Sequence, residues 1–237
     1  MVLPIRFTDL FMKHRWLLYL FVINLLAELI VLYYGLGYLQ NITKPLLMII
    51  MGLLVLLQPI IGKRIKVLLL FAIIFSLGGD VFLLFDQSGG PTFILGLLSF
   101  LVAHLFYIVL FLQIKKSQIP PRRWNFLIIS TLLLYVAILF YILSPNLGEL
   151  KIPVVVYALI LSTMLITAIH AFHFTNPAGR CIITGAFLFV ISDSLLALNK
   201  FYASFDFAGL VIMTTYALAQ YLIITGLTKF TGSRDKT

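Results

Sequence analysis

The chain has 237 residues, of which 62% are hydrophobic and only 11% are charged, and its mean hydropathy is +1.12. Ordinary soluble domains contain about 45–50% apolar residues, so this composition excludes a soluble globular protein. The net charge of +9 would suit a nucleic-acid partner, but we expect the basic residues to mark membrane topology instead. We therefore predict an all-α integral membrane protein with no nucleic-acid partner.

Apolar stretches long enough to cross a bilayer follow one another along the whole chain. A membrane-spanning helix needs about 20 apolar residues, and eight such segments lie between polar breaks. We predict a single transmembrane domain over residues 1–237, folded as a polytopic helix bundle of eight spans. The predicted spans cover roughly 16–39, 45–61, 67–85, 91–114, 124–143, 152–174, 180–198 and 207–230.

The distribution of charge predicts which way these helices run. Of the 17 lysines and arginines, we expect only Lys44, Lys151 and Lys200 on one side of the membrane. An excess of basic residues marks the cytoplasmic side, so we expect both termini in the cytoplasm and the protein in a bacterial cytoplasmic membrane. Residues 1–15 are mixed in polarity and predict no cleavable signal peptide.

The first two predicted spans carry polar side chains at membrane depth. Asn24 and Glu28 lie four residues apart and so share one helix face. Glu28 is either a structural carboxyl between helices or a member of a site. The segment QNITKP, 40–45, predicts a turn with Pro45 as the first residue of the second helix. Lys44 in this turn would either anchor to lipid headgroups or bind a phosphate.

The third predicted span contains a candidate catalytic group, Asp80, in the stretch FSLGGDVFLLF near its outer end. A carboxylate at that depth is costly unless it faces a protein interior or a wet cavity, so a functional role is the first hypothesis. Gly78 and Gly79 leave room for a neighbouring helix or a ligand. In the fourth span, His104 and Tyr107 share a helix face and can both donate hydrogen bonds.

The fifth predicted span has no group that is expected to be charged, and we interpret it as scaffold. The sixth has Tyr157 toward its outer half, and His170 and His173 at its inner end. An i, i+3 histidine pair could begin a metal site, but no third ligand is expected at that depth. A structural role is therefore favoured for both histidines, and no metal is predicted.

The seventh predicted span contains a second intramembrane aspartate, Asp193, in GAFLFVISDSLLALNKF. The third and seventh spans run in the same direction, and each aspartate follows the basic inner end of its span by nearly the same distance. We therefore expect the two carboxyls at similar depth. Lys200 lies on the helix face of Asp193, nearer the outer headgroups. In the eighth span, Tyr216 and Gln220 share a face at i, i+4.

Two carboxyls in a low-dielectric region form an acid/base pair when one is protonated and the other is ionised. Such pairs catalyse hydrolysis at acetal-like carbons. The sequence has no GxSxG nucleophile elbow, no HExxH and no phosphate-binding glycine loop. These absences disfavour a serine hydrolase, a zincin and a nucleotide-driven enzyme.

Several motifs occur in the order in which one known family has them. They are Lys44-Pro45, GGDVFLL at 78–84, the pair His104 and Tyr107, GAFLFVISDSLLALNKF at 185–201, and Tyr216 with Ala219-Gln220. Together, over spans two to eight, they resemble the lysoplasmalogenase family of eight-span membrane proteins. The resemblance implies a hydrolase that cleaves the vinyl ether bond of a lysoplasmalogen, releasing a fatty aldehyde and glycerophosphocholine or glycerophosphoethanolamine. It implies no cofactor, and a lysophospholipid substrate in contact with membrane lipid.

The resemblance and the chemistry of vinyl ethers together suggest a role for each residue. Hydrolysis needs a general acid that protonates the outer alkene carbon, and a carboxylate that stabilises the oxocarbenium ion and orients water. We expect Asp80 and Asp193 to supply both, with either as the acid. The residues expected to orient water and the ether oxygen are His104, Tyr107, Tyr216, Gln220 and Asn199. The expected phosphate ligands are Lys44 and Lys200, and the further candidates are Glu28 and Tyr157.

Two other functions would use some of the same residues. A proton-coupled transporter would place aspartates in repeated helix pairs, as the third and fourth spans and the seventh and eighth spans do. A metal-dependent membrane amidase would use Asp80 with His104, His170 and His173. Against the amidase, those histidines are expected nearer the inner half of the membrane than the aspartates.

Overall fold

The computed structural model describes residues 15–58, 62–86, 90–118 and 123–234. The helices are α1 (Arg15–Tyr33), α2 (Gly37–Leu57), α3 (Lys63–Leu84), α4 (Pro91–Lys116), α5 (Phe126–Leu143), α6 (Lys151–Ala171), α7 (Pro177–Phe201) and α8 (Ala208–Arg234). Eight helices are long and apolar enough to cross a membrane, and the described residues form no strand, which confirms the predicted all-α bundle. The expectation about a signal peptide falls on residues 1–14, which lie outside the described ranges.

The N-terminal part of α2 differs from the prediction. The segment 40–45 is helical, so the predicted turn there is wrong, and Pro45 lies inside α2. The turn between α1 and α2 falls at Gly35 instead, whose φ of +67° suits glycine. Side chains of α1 bind this first part of α2, as described below. They stabilise the helix where Pro45 removes one backbone hydrogen bond.

Side-chain caps set the start of two helices. Asn125 accepts a hydrogen bond from the backbone N–H of Leu127 at 2.9 Å and so begins α5. Asn176 accepts one from the backbone N–H of Ala178, also at 2.9 Å, and Pro177 occupies the first position of α7. These caps fix the residues at which α5 and α7 begin.

Glycines allow close contacts between α3 and α4 and between α7 and α8, which are the helix pairs with the most extensive packing. A Cβ at Gly185 would lie only 2.8 Å from the carbonyl oxygen of Ala219 in α8. At Gly79 it would lie 2.5 Å from the ring of Phe100 in α4, and at Gly78 it would meet the same helix. Of the two neighbours expected beside Gly78 and Gly79, a helix or a ligand, the structure shows a helix.

His170 takes part in helix packing at the end of α6. Its Nε2 accepts the backbone N–H of Asn125 at 2.8 Å, and its Nδ1 lies 2.7 Å from the carbonyl oxygen of Ile166. The indole of Trp124 packs on the ring, with centroids 4.8 Å apart. These contacts join α6 to the start of α5, whereas His173 is exposed.

The close approach of α7 and α8 predicts that Gly185→Ala destabilises the protein. The new methyl group would overlap the backbone of α8, and overpacking costs about 1–3 kcal/mol. We expect a lower thermal unfolding midpoint in detergent. Gly52→Ala is the matched control, because its Cβ would meet only Ile73 at 3.6 Å, an ordinary contact. Equal midpoints for the two variants would contradict this account of the packing.

Candidate active site

Asp80 is held by residues from two other helices. Its Oδ2 accepts a hydrogen bond of 2.7 Å from the hydroxyl of Tyr216 in α8. Its Oδ1 lies 4.0 Å from Nζ of Lys44 in α2. The Asp80 side chain is 1% exposed and that of Lys44 12%, so solvent screens this pair of opposite charges weakly. The hydroxyl and the ammonium group together stabilise a carboxylate at this position.

Tyr107, Gln220 and Ser76 form a buried chain of hydrogen bonds next to Asp80. The hydroxyl of Tyr107 donates to Oε1 of Gln220 at 2.7 Å, and Nε2 of Gln220 donates to Oγ of Ser76 at 2.9 Å. Ser76 precedes Asp80 by one helical turn, and Gln220 follows Tyr216 by one turn. The chain therefore fixes α3, α4 and α8 relative to one another around the carboxylate.

Asp193 has a tyrosine partner of its own. The hydroxyl of Tyr157 in α6 donates a hydrogen bond to Oδ2 of Asp193. The ion pairs found within the described ranges involve Asp80 and Asp86, and none involves Asp193. The two aspartates thus have different surroundings within the described residues, since a lysine faces Asp80 whereas the polar partner of Asp193 is a neutral hydroxyl.

Both aspartates line one cavity, which we call the carboxylate chamber. It contains about 340 Å³ of empty space, part of which opens to the surroundings. The lining residues are Lys44, Asp80, Leu83, Phe100, Ser192, Asp193, Leu196, Ile212, Met213 and Tyr216. The chamber therefore brings together the two carboxyls, a lysine and a tyrosine, which are four of the residues predicted for the site.

A second cavity, which we call the apolar pocket, adjoins the chamber between α4, α6 and α7. It contains about 430 Å³ of empty space, again partly open. The lining residues are Leu83, Phe93, Leu97, Phe100, Val154, Tyr157, Asp193, Leu196, Ala197 and Phe201. Four of these side chains also line the chamber, namely Leu83, Phe100, Asp193 and Leu196. Asp193 therefore lies at the border between a polar and an apolar cavity.

Glu28 positions the helix that carries the site lysine. The carboxyl group is buried, and its Oε1 accepts a hydrogen bond of 3.1 Å from Nε2 of Gln40. Its Oε2 accepts one from the hydroxyl of Thr43, whose carbonyl oxygen in turn accepts Nδ2 of Asn24 at 2.7 Å. These bonds fix the turn of α2 that presents Lys44 to the chamber. Glu28 itself does not line the chamber.

His104 is buried behind the site and lines neither cavity. Its ring packs edge-on against Tyr157 and Phe189, with centroid distances of 5.5 Å and 4.7 Å. Neither ring nitrogen has a hydrogen-bond partner among the residues that the structure describes. The histidine is thus in contact with the tyrosine that binds Asp193 and does not border the chamber itself.

Lys200 and Asn199, at the end of α7, both have partners outside the chamber. Nζ of Lys200 forms an ion pair of 2.6 Å with Oδ2 of Asp86 and lies 5.1 Å from the ring centre of Phe93. Oδ1 of Asn199 accepts the backbone N–H of Phe205 at 3.3 Å and so shapes the loop after the helix. Neither residue lines the chamber, although both lie on the helix that carries Asp193.

Phe100 and Ser192 are chamber residues that the sequence did not single out. The ring of Phe100 lines both cavities and packs edge-on against Tyr216, with centroids 5.7 Å apart. Oγ of Ser192 donates to the carbonyl oxygen of Ile212 at 3.1 Å. Its place directly before Asp193 was the one available signal. Nothing in the sequence pattern distinguishes Phe100 from the other phenylalanines.

The histidines and carboxyls do not form a metal centre in the described ranges. No three His, Cys, Asp or Glu side chains there are grouped so that they could hold a metal ion. His170 is bound at the start of α5 and His173 is exposed, so neither approaches Asp80. The ligand set that a metal-dependent amidase would need is therefore not brought together.

Comparison with known proteins identifies the family. Residues 39–227, which are most of the chain, match the model of the YhhN family. The chain belongs to the YhhN family. The matched range includes every residue of the carboxylate chamber and of the apolar pocket. No solved structure matches this YhhN-family protein.

Curated relatives of this YhhN-family protein occur in mammals and mycobacteria. Lysoplasmalogenase TMEM86B of Rattus norvegicus is 35% identical over 147 residues, which are 61% of this chain and 54% of the relative. Lysoplasmalogenase TMEM86A of Bos taurus is 33% identical over 156 residues, 64% and 61% of the two chains. Lysoplasmalogenase of Mycobacterium tuberculosis is 32% identical over 136 residues, 56% and 50%. The chain therefore spans only about half to three-fifths of these relatives.

The hydrogen bonds to Glu28 predict that Glu28→Gln destabilises this YhhN-family protein. The amide offers one acceptor oxygen in place of two and carries no charge, so a hydrogen bond from Gln40 or Thr43 to a carboxylate oxygen is lost, and such a loss in a buried site costs about 1–3 kcal/mol. We expect a lower thermal unfolding midpoint in detergent. Glu149→Gln makes the same change at an exposed residue and should leave the midpoint unchanged. Equal unfolding midpoints for Glu28→Gln, Glu149→Gln and wild type would contradict a structural role for Glu28.

Proposed function

We propose that this protein hydrolyses the vinyl ether bond of a lysoplasmalogen to a fatty aldehyde and glycerophosphocholine or glycerophosphoethanolamine. The observation that carries the proposal is that Asp80 and Asp193, two carboxyls inside membrane-spanning helices, line one chamber beside an apolar pocket. An amphiphilic substrate with its reacting bond between chain and headgroup suits such a border. The name lysoplasmalogenase borne by curated relatives supports the same activity here.

The reaction requires a proton on carbon and no protein nucleophile. An acid donates its proton to the alkene carbon farther from the ether oxygen, and the alkene electron pair forms the new C–H bond. Water then adds to the oxocarbenium carbon and gives a proton to a carboxylate. In the resulting hemiacetal, the hydroxyl group gives its proton to the carboxylate and becomes the aldehyde oxygen. The bond to the glycerol oxygen breaks, and that oxygen takes a proton from the neutral carboxyl and leaves as the alcohol. One neutral and one ionised carboxyl supply these proton transfers without a metal ion.

We assign the acid to Asp193 and the ionised partner to Asp80. The ammonium group of Lys44, at 4.0 Å, and the hydroxyl of Tyr216 both attract a charged carboxylate at Asp80. Asp193 has the hydroxyl of Tyr157 as its hydrogen-bond donor and no ion pair among the described residues. Burying a neutral carboxyl there costs less free energy than burying an unpaired carboxylate. The charged member would then stabilise the oxocarbenium ion, and the neutral member would supply the proton.

The other site residues support these two groups. We propose that Lys44 contacts the substrate phosphate while it stays beside Asp80, because Lys44 lines the chamber. Lys200 would reach a phosphate only by sharing its ion pair with Asp86. Tyr107 and Gln220 act as positioning residues through α3 and α8, and His104 acts through the ring of Tyr157.

Replacing either aspartate with asparagine should abolish turnover. Asp80→Asn and Asp193→Asn each remove one carboxyl, and loss of general acid or base catalysis lowers rates by about 10²–10⁴-fold. The measurement is aldehyde release from a lysoplasmalogen by purified protein in detergent. A chelator is present, and we expect wild-type activity to persist in it. Asp206→Asn, the same change at an exposed loop residue, should retain wild-type activity.

Full activity in either chamber variant would contradict the aspartate mechanism. Loss of wild-type activity in the chelator, restored by added metal ion, would contradict a metal-independent reaction. Substrate uptake driven by a pH gradient in proteoliposomes, without any aldehyde, would instead identify a transporter.

The assignment of roles predicts opposite pH dependence for chemical rescue. In Asp193→Ala, formic acid would replace the missing proton donor, so rescue should increase as the pH falls and the acid form accumulates. In Asp80→Ala, the formate anion would replace the missing carboxylate, so rescue should increase as the pH rises. The measurement is aldehyde release at several pH values with and without added formate. The reverse pattern would exchange the two roles.

A further inference from the structure

We propose that the apolar pocket holds the hydrocarbon chain of the substrate next to the vinyl ether, while the headgroup extends into the carboxylate chamber. This inference rests on the proposed function and fixes the direction in which the substrate lies. The chain-side alkene carbon then faces Asp193, and the ether oxygen lies on the side of Asp80 and Lys44.

The lining of the pocket suits hydrocarbon. Apart from Tyr157 and Asp193, every lining side chain is apolar. Those two polar groups are hydrogen-bonded to each other, so they offer little to a headgroup. Ligand sites typically combine an apolar lining with a few placed polar groups, and here the polar groups stand where the pocket meets the chamber.

The rim of the pocket near the end of α7 is not built for a phosphate. The rings of Phe93 and Phe201 pack edge-on there, with centroids 5.6 Å apart. Nζ of Lys200 lies over the Phe93 ring, but its charge is matched by Asp86 at 2.6 Å. Lys44, whose own partner is Asp80 at 4.0 Å, lines the chamber together with Ser192 and Tyr216. The more polar lining of the chamber therefore favours the headgroup on that side.

The proposed direction of the substrate places each reacting carbon next to the aspartate that acts on it. Protonation occurs at the alkene carbon on the chain side, whereas water attacks the carbon that bears the ether oxygen. Asp193 borders both cavities, and Asp80 borders only the chamber. A chain in the apolar pocket therefore brings the carbon that accepts the proton to Asp193. The carbon that becomes cationic then lies toward the carboxylate of Asp80.

Another apolar groove, between α2 and α3, offers the competing location for a chain. It contains about 630 Å³ of largely open space and is lined by residues such as Met48, Leu53 and Ile74. It shares no lining residue with the chamber. A chain bound there would not place its ether bond between the aspartates, so this groove serves as the alternative site in the experiment.

Filling the apolar pocket should change which chain lengths are hydrolysed. Val154→Phe and Ala197→Leu add bulk to the lining, whereas Val156→Phe makes the first change on the exposed face of the same helix. We expect the kcat/KM ratio of a long-chain to a short-chain lysoplasmalogen to fall about tenfold or more in both pocket variants. The control should keep the wild-type ratio. Unchanged ratios in both pocket variants, with wild-type unfolding midpoints, would overturn the inference.

A second readout does not depend on hydrolysis. A saturated alkyl ether lysophosphatidylcholine with a photoreactive diazirine in its chain cannot react by protonation of an alkene. We expect its cross-links to map to Phe93 and Val154 in wild type and to be lost in Val154→Phe. Cross-links confined to Ile49, Ile74 or their neighbours would overturn the inference. Cross-links in the pocket without aldehyde release from lysoplasmalogen would support the chain site and contradict the proposed reaction.

Discussion

The attraction between Lys44 and Asp80 across 4.0 Å is the interaction on which the rest of the arrangement depends. A lone carboxylate inside a bilayer is costly, and the ammonium group that α2 presents to α3 lowers that cost for Asp80. Glu28 in α1 holds the turn of α2 that carries the lysine, and Tyr216 in α8 completes the coordination of the carboxylate. Residues of four helices, α1, α2, α3 and α8, are thus arranged around the Asp80 carboxylate. The same contacts hold these helices together and build the site.

Asp193 differs from Asp80 in its surroundings. Asp193 stands at the border of the two cavities, with Tyr157 as its donor and no ion pair in the described part of the chain. Phe100 lines both cavities, and Gly79 allows its ring to pack directly on α3. We infer that a polar cavity beside an apolar one matches a substrate with one polar and one apolar end. The reacting bond would then lie where the two environments meet.

Helix number and the two aspartates could be predicted from sequence because hydrophobic length and an intramembrane charge are local signals. The start of α2 could not, because Pro45 commonly begins a helix and only the bonds from Glu28 reveal that this helix starts earlier. The partner of Lys200 also escaped prediction. Asp86 lies 114 residues away in sequence, and a shared helix face says nothing about neighbouring helices.

Deuterium incorporation tests the central claim most directly. In D₂O, general acid protonation of a vinyl ether would leave one deuterium on the aldehyde carbon next to the carbonyl group, fixed by immediate reduction to the alcohol. The account predicts one carbon-bound deuterium in the product formed by wild-type protein. Aldehyde formed without carbon-bound deuterium would contradict protonation at carbon by an aspartate pair.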